Sequence, residues 1–328
     1  MKIVICDSKE SLDRDVAAEV KLFRQQLGAD TEVIVHEYNG DDLALRQIIS
    51  DADGVMTSYV SFNEDLIAAG NRLKGISINA TGYNFINLQA AARHRVSVAV
   101  IAEYCTQEVS EHAMTLGLAV ARNLKAYTRS IEQQHKFAFN AVSGMFRLEG
   151  STFGIMGLGK IGRAVARKAQ GFGMKVIAFS PSCPPKEAET LGIQLVSKQQ
   201  LFADSKFICL TMSLNDSNVN ILNHEAFSQM KNKPVIINVS RGQMIDEQAL
   251  AEALDNGTVF GAGLDVLVEE TDEYISQSPL AGRDNVVLTP HAAFYSDFSM
   301  QENQRIGVEN LVNILNNNFA AVTRIVSN

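Results

Sequence analysis

The sequence predicts an α/β protein built on two successive parallel sheets, and three observations carry that reading. Short apolar runs alternate with segments of helical periodicity, the alternation occurs in two separate series, and 328 residues amount to about two domains of ~150 residues each.

In the first series, KIVIC from Lys2 reads as a strand and DVAAEVKLFRQQLG from Asp15 as a helix. TEVIVHEY, GVMTS and KGISINAT read as further strands, separated by the helical patterns DDLALRQIISD and FNEDLIAAGNRL. Strands joined by helices of about 10–15 residues run parallel, because the crossover returns each strand to the same end of the sheet. A long helical stretch over 103–134 precedes the second series. There STFGIMG, KVIAFS, FICLTM, PVIINVS, GAGLDV and NVVLTP alternate with GKIGRAVARKAQGFG, LFAD and DEQALAEALDNG. The last segment, from Ser299, has helical spacing and could cap either domain. With no repeat, low-complexity tract or Gly/Ser linker, the boundary near residue 100 is expected to be crossed by helix rather than by a flexible tether.

Composition narrows the function classes. Hydrophobic residues at 46% and charged residues at 20% argue against a disordered, collagen-like or coiled-coil chain. Twenty-nine Lys and Arg against 37 Asp and Glu give a net charge of −8, which disfavours nucleic acid or an anionic membrane as a bulk partner. An anionic ligand must therefore meet a local cation. Cys6, Cys105, Cys183 and Cys209 form no CxxC pair and no metal-like spacing with His, so they read as reduced thiols, with no metal site. The opening Met1–Cys6 reads as a strand rather than a signal peptide, and no run approaches the ~20 apolar residues of a membrane span. A cytoplasmic protein is expected.

Gly157-Leu158-Gly159-Lys160-Ile161-Gly162 matches G-x-G-x-x-G, with an apolar run before it and a helical pattern after it. Such a loop turns tightly at the first glycine, lets backbone approach a pyrophosphate at the second, and packs helix on strand at the third. NAD or NADP is the expected cofactor. The acidic residue that usually binds the ribose about 20 residues on is replaced by Ser180, followed by Pro181-Ser182-Cys183-Pro184-Pro185 and Lys186, so the choice between the two stays open. A serine removes the repulsion of a 2′-phosphate, yet no arginine follows it.

Three further strands end in Asn238-Val239-Ser240-Arg241-Gly242, in Gly263-Leu264-Asp265 running on to Glu269-Glu270, and in Thr289-Pro290-His291-Ala292-Ala293. Ligands of open α/β sheets bind beyond the carboxyl ends of the strands, so all three can converge on one crevice. Together with NATGYNFINLQAAARH, EYCTQEVSEHA and the glycine loop, they make the chain resemble the D-isomer-specific 2-hydroxyacid dehydrogenase family.

That resemblance implies two Rossmann-like domains with parallel sheets, a flavodoxin-like substrate domain (1–102 and 296–328) and an inserted NAD(P)-binding domain (103–295). It implies hydride transfer between NAD(P)H and a small 2-keto or 2-hydroxy acid. Arg241 would bind the substrate carboxylate, His291 would be the general acid/base, and Glu270, or its neighbour Glu269, would partner His291. Val239, Ser240 and Asp265 fall to the cofactor, Asp265 beside the nicotinamide carboxamide. The Thr81 and Gly82 amides fall to the substrate carboxylate, and Tyr59, Tyr104, Phe294 and Tyr295 are candidate pocket walls. The 103–134 stretch would form a homodimer interface.

The chemistry agrees: a guanidinium forks onto a carboxylate, an imidazole supplies a proton near neutral pH, and a carboxylate on its other nitrogen orients the ring. Phe294-Tyr295 resembles the D-lactate dehydrogenase and carboxy-terminal binding protein branches. A dinucleotide-sensing interaction protein of corepressor type is therefore the alternative, disfavoured because the chain stops at Asn328 without a tail. Three departures bear on substrate and loop geometry: Asn84-Phe85-Ile86-Asn87 for Asp-Asn-x-Asp, Ser213 for a proline, and Thr271–Tyr274 for a Glu-Pro ending.

Overall fold

The structure is a computed structural model that describes residues 1–327. The last residue of the expected substrate domain, Asn328, lies outside the described residues.

In chain order the elements are β1 (Lys2–Asp7), α1 (Val16–Leu27), β2 (Glu32–Glu37), α2 (Asp42–Ile49), β3 (Gly54–Thr57), α3 (Glu64–Ala69), β4 (Gly75–Ile78), α4 (Leu88–Arg93) and β5 (Ser97–Val100). There follow α5 (Thr106–Ala121), α6 (Leu124–Glu132), β6 (Thr152–Met156), α7 (Lys160–Gly171), β7 (Lys175–Phe179), α8 (Pro185–Thr190), β8 (Gln194–Leu195), α9 (Lys198–Asp204) and β9 (Phe207–Leu210). The chain ends with α10 (His224–Ser228), β10 (Val235–Asn238), α11 (Glu247–Asp255), β11 (Gly261–Leu264), α12 (Asp272–Gln277), β12 (Val286–Leu288), α13 (Asp297–Leu315) and β13 (Ile325–Ser327). It divides into two compact units: Met1–Tyr104 with the chain from Ser296 onward, and Cys105–Tyr295.

The first unit holds a six-stranded sheet in the order β13-β5-β4-β3-β1-β2, parallel throughout except for β13 on β5. Strands β3, β4 and β5 are buried at every position, as their near-continuous apolar runs require when helices cover both faces. Helices α1 to α4 begin where Asp15, Asp41, Asn63 and Asn87 accept a first-turn amide hydrogen bond. Asn87 thus keeps the capping role open to the aspartate usual at its position.

Helix α13 belongs to this unit. Leu311 and Ile314 press against β3 and β4 at Gly54 and Gly75, where a Cβ would come within 2.9 Å of Leu311 and 2.6 Å of Ile314. Ser77 Oγ donates to Gly307 O across the same contact (2.7 Å). Helical spacing alone could not choose the sheet, whereas two small strand residues facing two leucine-sized side chains do. Three-residue β13 is too short to be visible as sequence periodicity.

The second unit holds a seven-stranded parallel sheet in the order β12-β11-β10-β9-β6-β7-β8. Order reverses at β6, which pairs β7 on one side and β9 on the other. The 103–134 stretch is two helices rather than one, interrupted at Asn123 in a left-handed conformation (φ 49°), where α5 closes and Asn123 Nδ2 donates to Ser143 O. Among the described residues no helix is long and apolar enough to cross a membrane.

Leu311 is fully buried at the α13–sheet contact. Replacing it with alanine is expected to cost about 2–5 kcal/mol in urea unfolding; a loss below ~1 kcal/mol would show that α13 contributes no packed face.

Candidate active site

In the second unit the glycine loop follows β6 at the order reversal, the place where open α/β sheets bind ligands. A Cβ on Gly162 would stand 2.1 Å from Gly157 O, so only glycine lets α7 start this close to the turn. Gly159 has nothing within 4 Å of its Cβ position, leaving its approach open. Thr211 Oγ1, just past β9, donates to Gly157 O (2.6 Å) and joins the two strand ends. A cavity of about 540 Å³ opens here, lined by Gly157, Gly159, Ser180, Ser182, Lys198 and Thr211 among others. Open backbone, an α7 N-terminus and this volume suit the diphosphate and adenosine of a dinucleotide.

Ser180 lines the cavity, yet its hydroxyl accepts from Leu158 N–H (3.0 Å) and is nearly buried. It therefore braces the glycine loop. Ser240 Oγ donates to Met212 O, and Ser240 N–H donates to Asn238 Oδ1 (3.0 Å). Val239 packs half-buried against the apolar core.

Past β10, Arg241 is exposed and its Nη1 donates to Ser240 O (2.7 Å), leaving the remainder of the guanidinium open. Gly242 behind it must be glycine: a Cβ would lie 1.9 Å from the Leu267 carbonyl carbon. That close approach sets the Arg241 loop against the chain leaving β11. This latter loop is pinned by Glu247, which accepts from Val268 N–H (2.8 Å) and Tyr274 OH (2.9 Å). Burial and that carboxylate push the Tyr274 phenol up to about 12, so it stays a donor.

His291 Nδ1 lies 2.8 Å from Glu270 Oε2 and 3.1 Å from Oε1. Glu269 instead accepts from Thr271 Oγ1 (3.1 Å), so the histidine's partner in the structure is Glu270. An ionised carboxylate only accepts, so Nδ1 carries a hydrogen and Nε2 faces away from the pair. Phe294 meets the imidazole edge-on (6.4 Å between centroids), and Tyr295 meets Phe294 likewise.

His291 itself has φ 52°, the left-handed region that side chains other than glycine rarely occupy. Asp265, 1% exposed, holds it there. Its Oδ1 accepts from Ala292 N–H (2.8 Å) and Thr289 Oγ1 (2.6 Å), its Oδ2 from Ala293 N–H (2.9 Å), and its carbonyl from His291 N–H (2.8 Å). Having spent its hydrogen on Asp265, Thr289 accepts from His112 Nε2 (2.9 Å). His112 and Thr289 lie in motifs quoted from the sequence, which gave neither a role: the histidine sits in a helix of ordinary spacing, and only packing of α5 on β12 brings it to Thr289. A cavity of about 550 Å³ adjoins Asp265, Glu270, Thr289 and His291.

In the first unit the order reverses between β1 and β3. There Asp7, fully buried, accepts from Thr57 Oγ1 (3.0 Å), Ser58 N–H (2.6 Å) and Tyr59 N–H (3.3 Å), and pairs with Arg14 (3.0 Å). Arg14 also pairs with buried Glu19 (2.8 Å), which accepts from Gln304 (3.1 Å). This network fixes the loop that presents Tyr59, 65% exposed, beside Phe85. Thr81 and Gly82 follow the neighbouring β4, and neither N–H is bonded among the described residues. Tyr104 is half-buried at the end of this unit's first segment.

A glycine-loop cavity at a sheet's order reversal, with an oriented histidine and an open arginine at neighbouring strand ends, defines a dinucleotide-dependent oxidoreductase. Comparison with known proteins gives the family. Residues 114–293 match the D-isomer specific 2-hydroxyacid dehydrogenase, NAD binding domain. A hydroxypyruvate reductase of Thermotoga maritima is 35% identical over 92% of this chain and 94% of its own. A solved acyclic imino acid reductase in complex with NADPH and D-Arg is 29% identical, covers 97% of this chain and 98% of its own, and superposes with a TM-score of 0.79. The fold of D-2-hydroxyisocaproate dehydrogenase superposes over 100% of both chains with a TM-score of 0.85 at 24% identity. The chain belongs to the D-isomer-specific 2-hydroxyacid dehydrogenase family. It is an NAD(P)-dependent oxidoreductase of small 2-hydroxy and 2-keto acids.

Asp265→Asn replaces an acceptor with a donor facing a peptide N–H. We expect the Ala292 and Ala293 amides to exchange at least ~10-fold faster with solvent deuterium, since an unmet buried bond costs about 1–3 kcal/mol. Unchanged protection at both amides would show that the carboxylate does not hold this turn.

Proposed function

We propose that the chain reduces a small 2-keto acid to the D-2-hydroxy acid, and the reverse, with His291 as general acid/base, Glu270 as its partner and Arg241 on the substrate carboxylate. The observation that carries this is the His291–Glu270 pair, 2.8 Å apart, on a loop clamped by a buried aspartate. Bound NAD(P)H supplies the hydride to C2. In the reduction His291 Nε2 gives its proton to the carbonyl oxygen, while Glu270 keeps the ring oriented through Nδ1 and stabilises the protonated imidazolium from which that proton comes. Arg241 presents a planar fork of donors that suits a carboxylate and the adjacent carbonyl oxygen. The unbonded N–H groups of Thr81 and Gly82 supply further carboxylate donors.

Tyr59, Tyr104, Phe294 and Tyr295 are the side chains we assign to the substrate wall. Gly157, Gly159, Lys160, Ile161 and Gly162 fall to the dinucleotide, with Val239, Ser240 and Asp265 near its nicotinamide end. The unit formed by Cys105–Tyr295 is the coenzyme domain and the other the substrate domain. A homodimer through the 103–134 stretch is supported by Phe137 and Phe139 just beyond α6, exposed at 96% and 90%. Four free cysteines suit a reducing compartment such as the cytoplasm.

Purified protein should oxidise NADH or NADPH against a panel of 2-keto acids. His291→Ala should lower kcat by ~10²–10⁴-fold while dinucleotide affinity stays within about twofold. Turnover surviving that substitution would remove the histidine from the proton transfer. In light scattering, Phe137→Ser with Phe139→Ser should shift a dimeric mass toward the monomer; an unshifted mass would place the interface elsewhere.

A further inference from the structure

The cavity beside the glycine loop has a charge pattern of its own. Among its lining residues there is no aspartate or glutamate, and Lys198, the first residue of α9, is the one cation. Lys198 makes no ion pair or hydrogen bond among the described residues and is half-exposed toward this volume. The other cations near the strand end are differently placed: Arg163 pairs with Glu187, and Lys186 is exposed on α8 and does not line the cavity.

The hydroxyls differ as sharply. Ser180, at the usual acidic position, is nearly buried and accepts from Leu158 N–H, so it offers the cavity a hydroxyl hydrogen but no charge. Ser182, two residues on, is exposed, lines the cavity and has no bonding partner among the described residues. Its backbone is held by the turn in which Cys183 N–H donates to Ser180 O (3.0 Å) and by the prolines on either side. The neighbouring acids do not cancel Lys198. Asp216 is exposed and outside the lining, and Glu225 lines only the smaller cavity, about 220 Å³, that shares Lys198.

A site for an adenosine ribose with free hydroxyls gains from a carboxylate that accepts both of them, and that acceptor is missing here. A cation with no counter-ion and a free hydroxyl instead suit a dianionic group, because charge-assisted hydrogen bonds to phosphate are about twice as strong as neutral ones. We propose that this chain takes NADPH in preference to NADH, with Lys198 and the Ser182 hydroxyl receiving the 2′-phosphate. The inference rests on the dinucleotide site described above and deepens it by naming which dinucleotide it selects.

Calorimetric titration of the full chain with NADPH and with NADH reads this without turnover. NADPH should bind at least ~10-fold more tightly, and Lys198→Ala should weaken NADPH about 10-fold while changing NADH less than about twofold. The same substitution should flatten the salt dependence of NADPH binding, and Ser182→Asp should reverse the preference toward NADH. NADH binding as tightly as NADPH would overturn the proposal. So would an NADPH preference that survives both substitutions, which would move the phosphate to other residues. Failure to bind either dinucleotide would sink the cofactor site itself.

Discussion

The Asp265 carboxylate is the interaction on which the site depends. It stands at the end of β11, buried, and both oxygens are occupied by the chain leaving β12: two peptide N–H groups and the Thr289 hydroxyl. A buried carboxylate is tolerated only where such donors replace water. In satisfying itself it holds His291 in a left-handed conformation that a histidine would otherwise avoid. That conformation carries the imidazole to Glu270, whose own loop is pinned to α11 through Glu247 and, behind Arg241, through the close approach at Gly242. Acid/base pair and arginine are therefore placed by backbone at three neighbouring strand ends.

The first unit solves a parallel problem with another buried acid. Asp7 ends β1 at the place where strand order reverses and gathers the amides of the loop after β3, while Arg14 offsets the burial of its charge and of the neighbouring Glu19. Breaking one member of such a chain leaves its neighbours uncompensated, so the loop presenting Tyr59 is tied to helix α13 through Gln304. Residues distant in sequence thereby set the geometry of a candidate substrate wall.

The chain's negative balance and its anionic ligands are reconciled locally. Peptide N–H groups at Gly159, Thr81 and Gly82, the open guanidinium of Arg241 and the unpaired Lys198 supply positive field where ligand anions would sit. Net charge described bulk partners and could not describe these points.

Class, family and activity are legible along the chain. Apolar runs of strand length, caps such as Asp15 and Asn87, and the glycine fingerprint are local patterns, and each is written in consecutive residues. What tertiary structure decided depends on contacts between distant residues. It put α13 on the first unit's sheet, because Leu311 and Ile314 fit only where Gly54 and Gly75 face them. It broke the 103–134 stretch at Asn123, paired His291 with Glu270 rather than Glu269, and set the Ser180 hydroxyl against the Leu158 amide of the glycine loop. His112 joined the site for the same reason. A hydrogen bond across the fold is a property of packing, and periodicity along the chain carries no record of which partner a buried polar group will find.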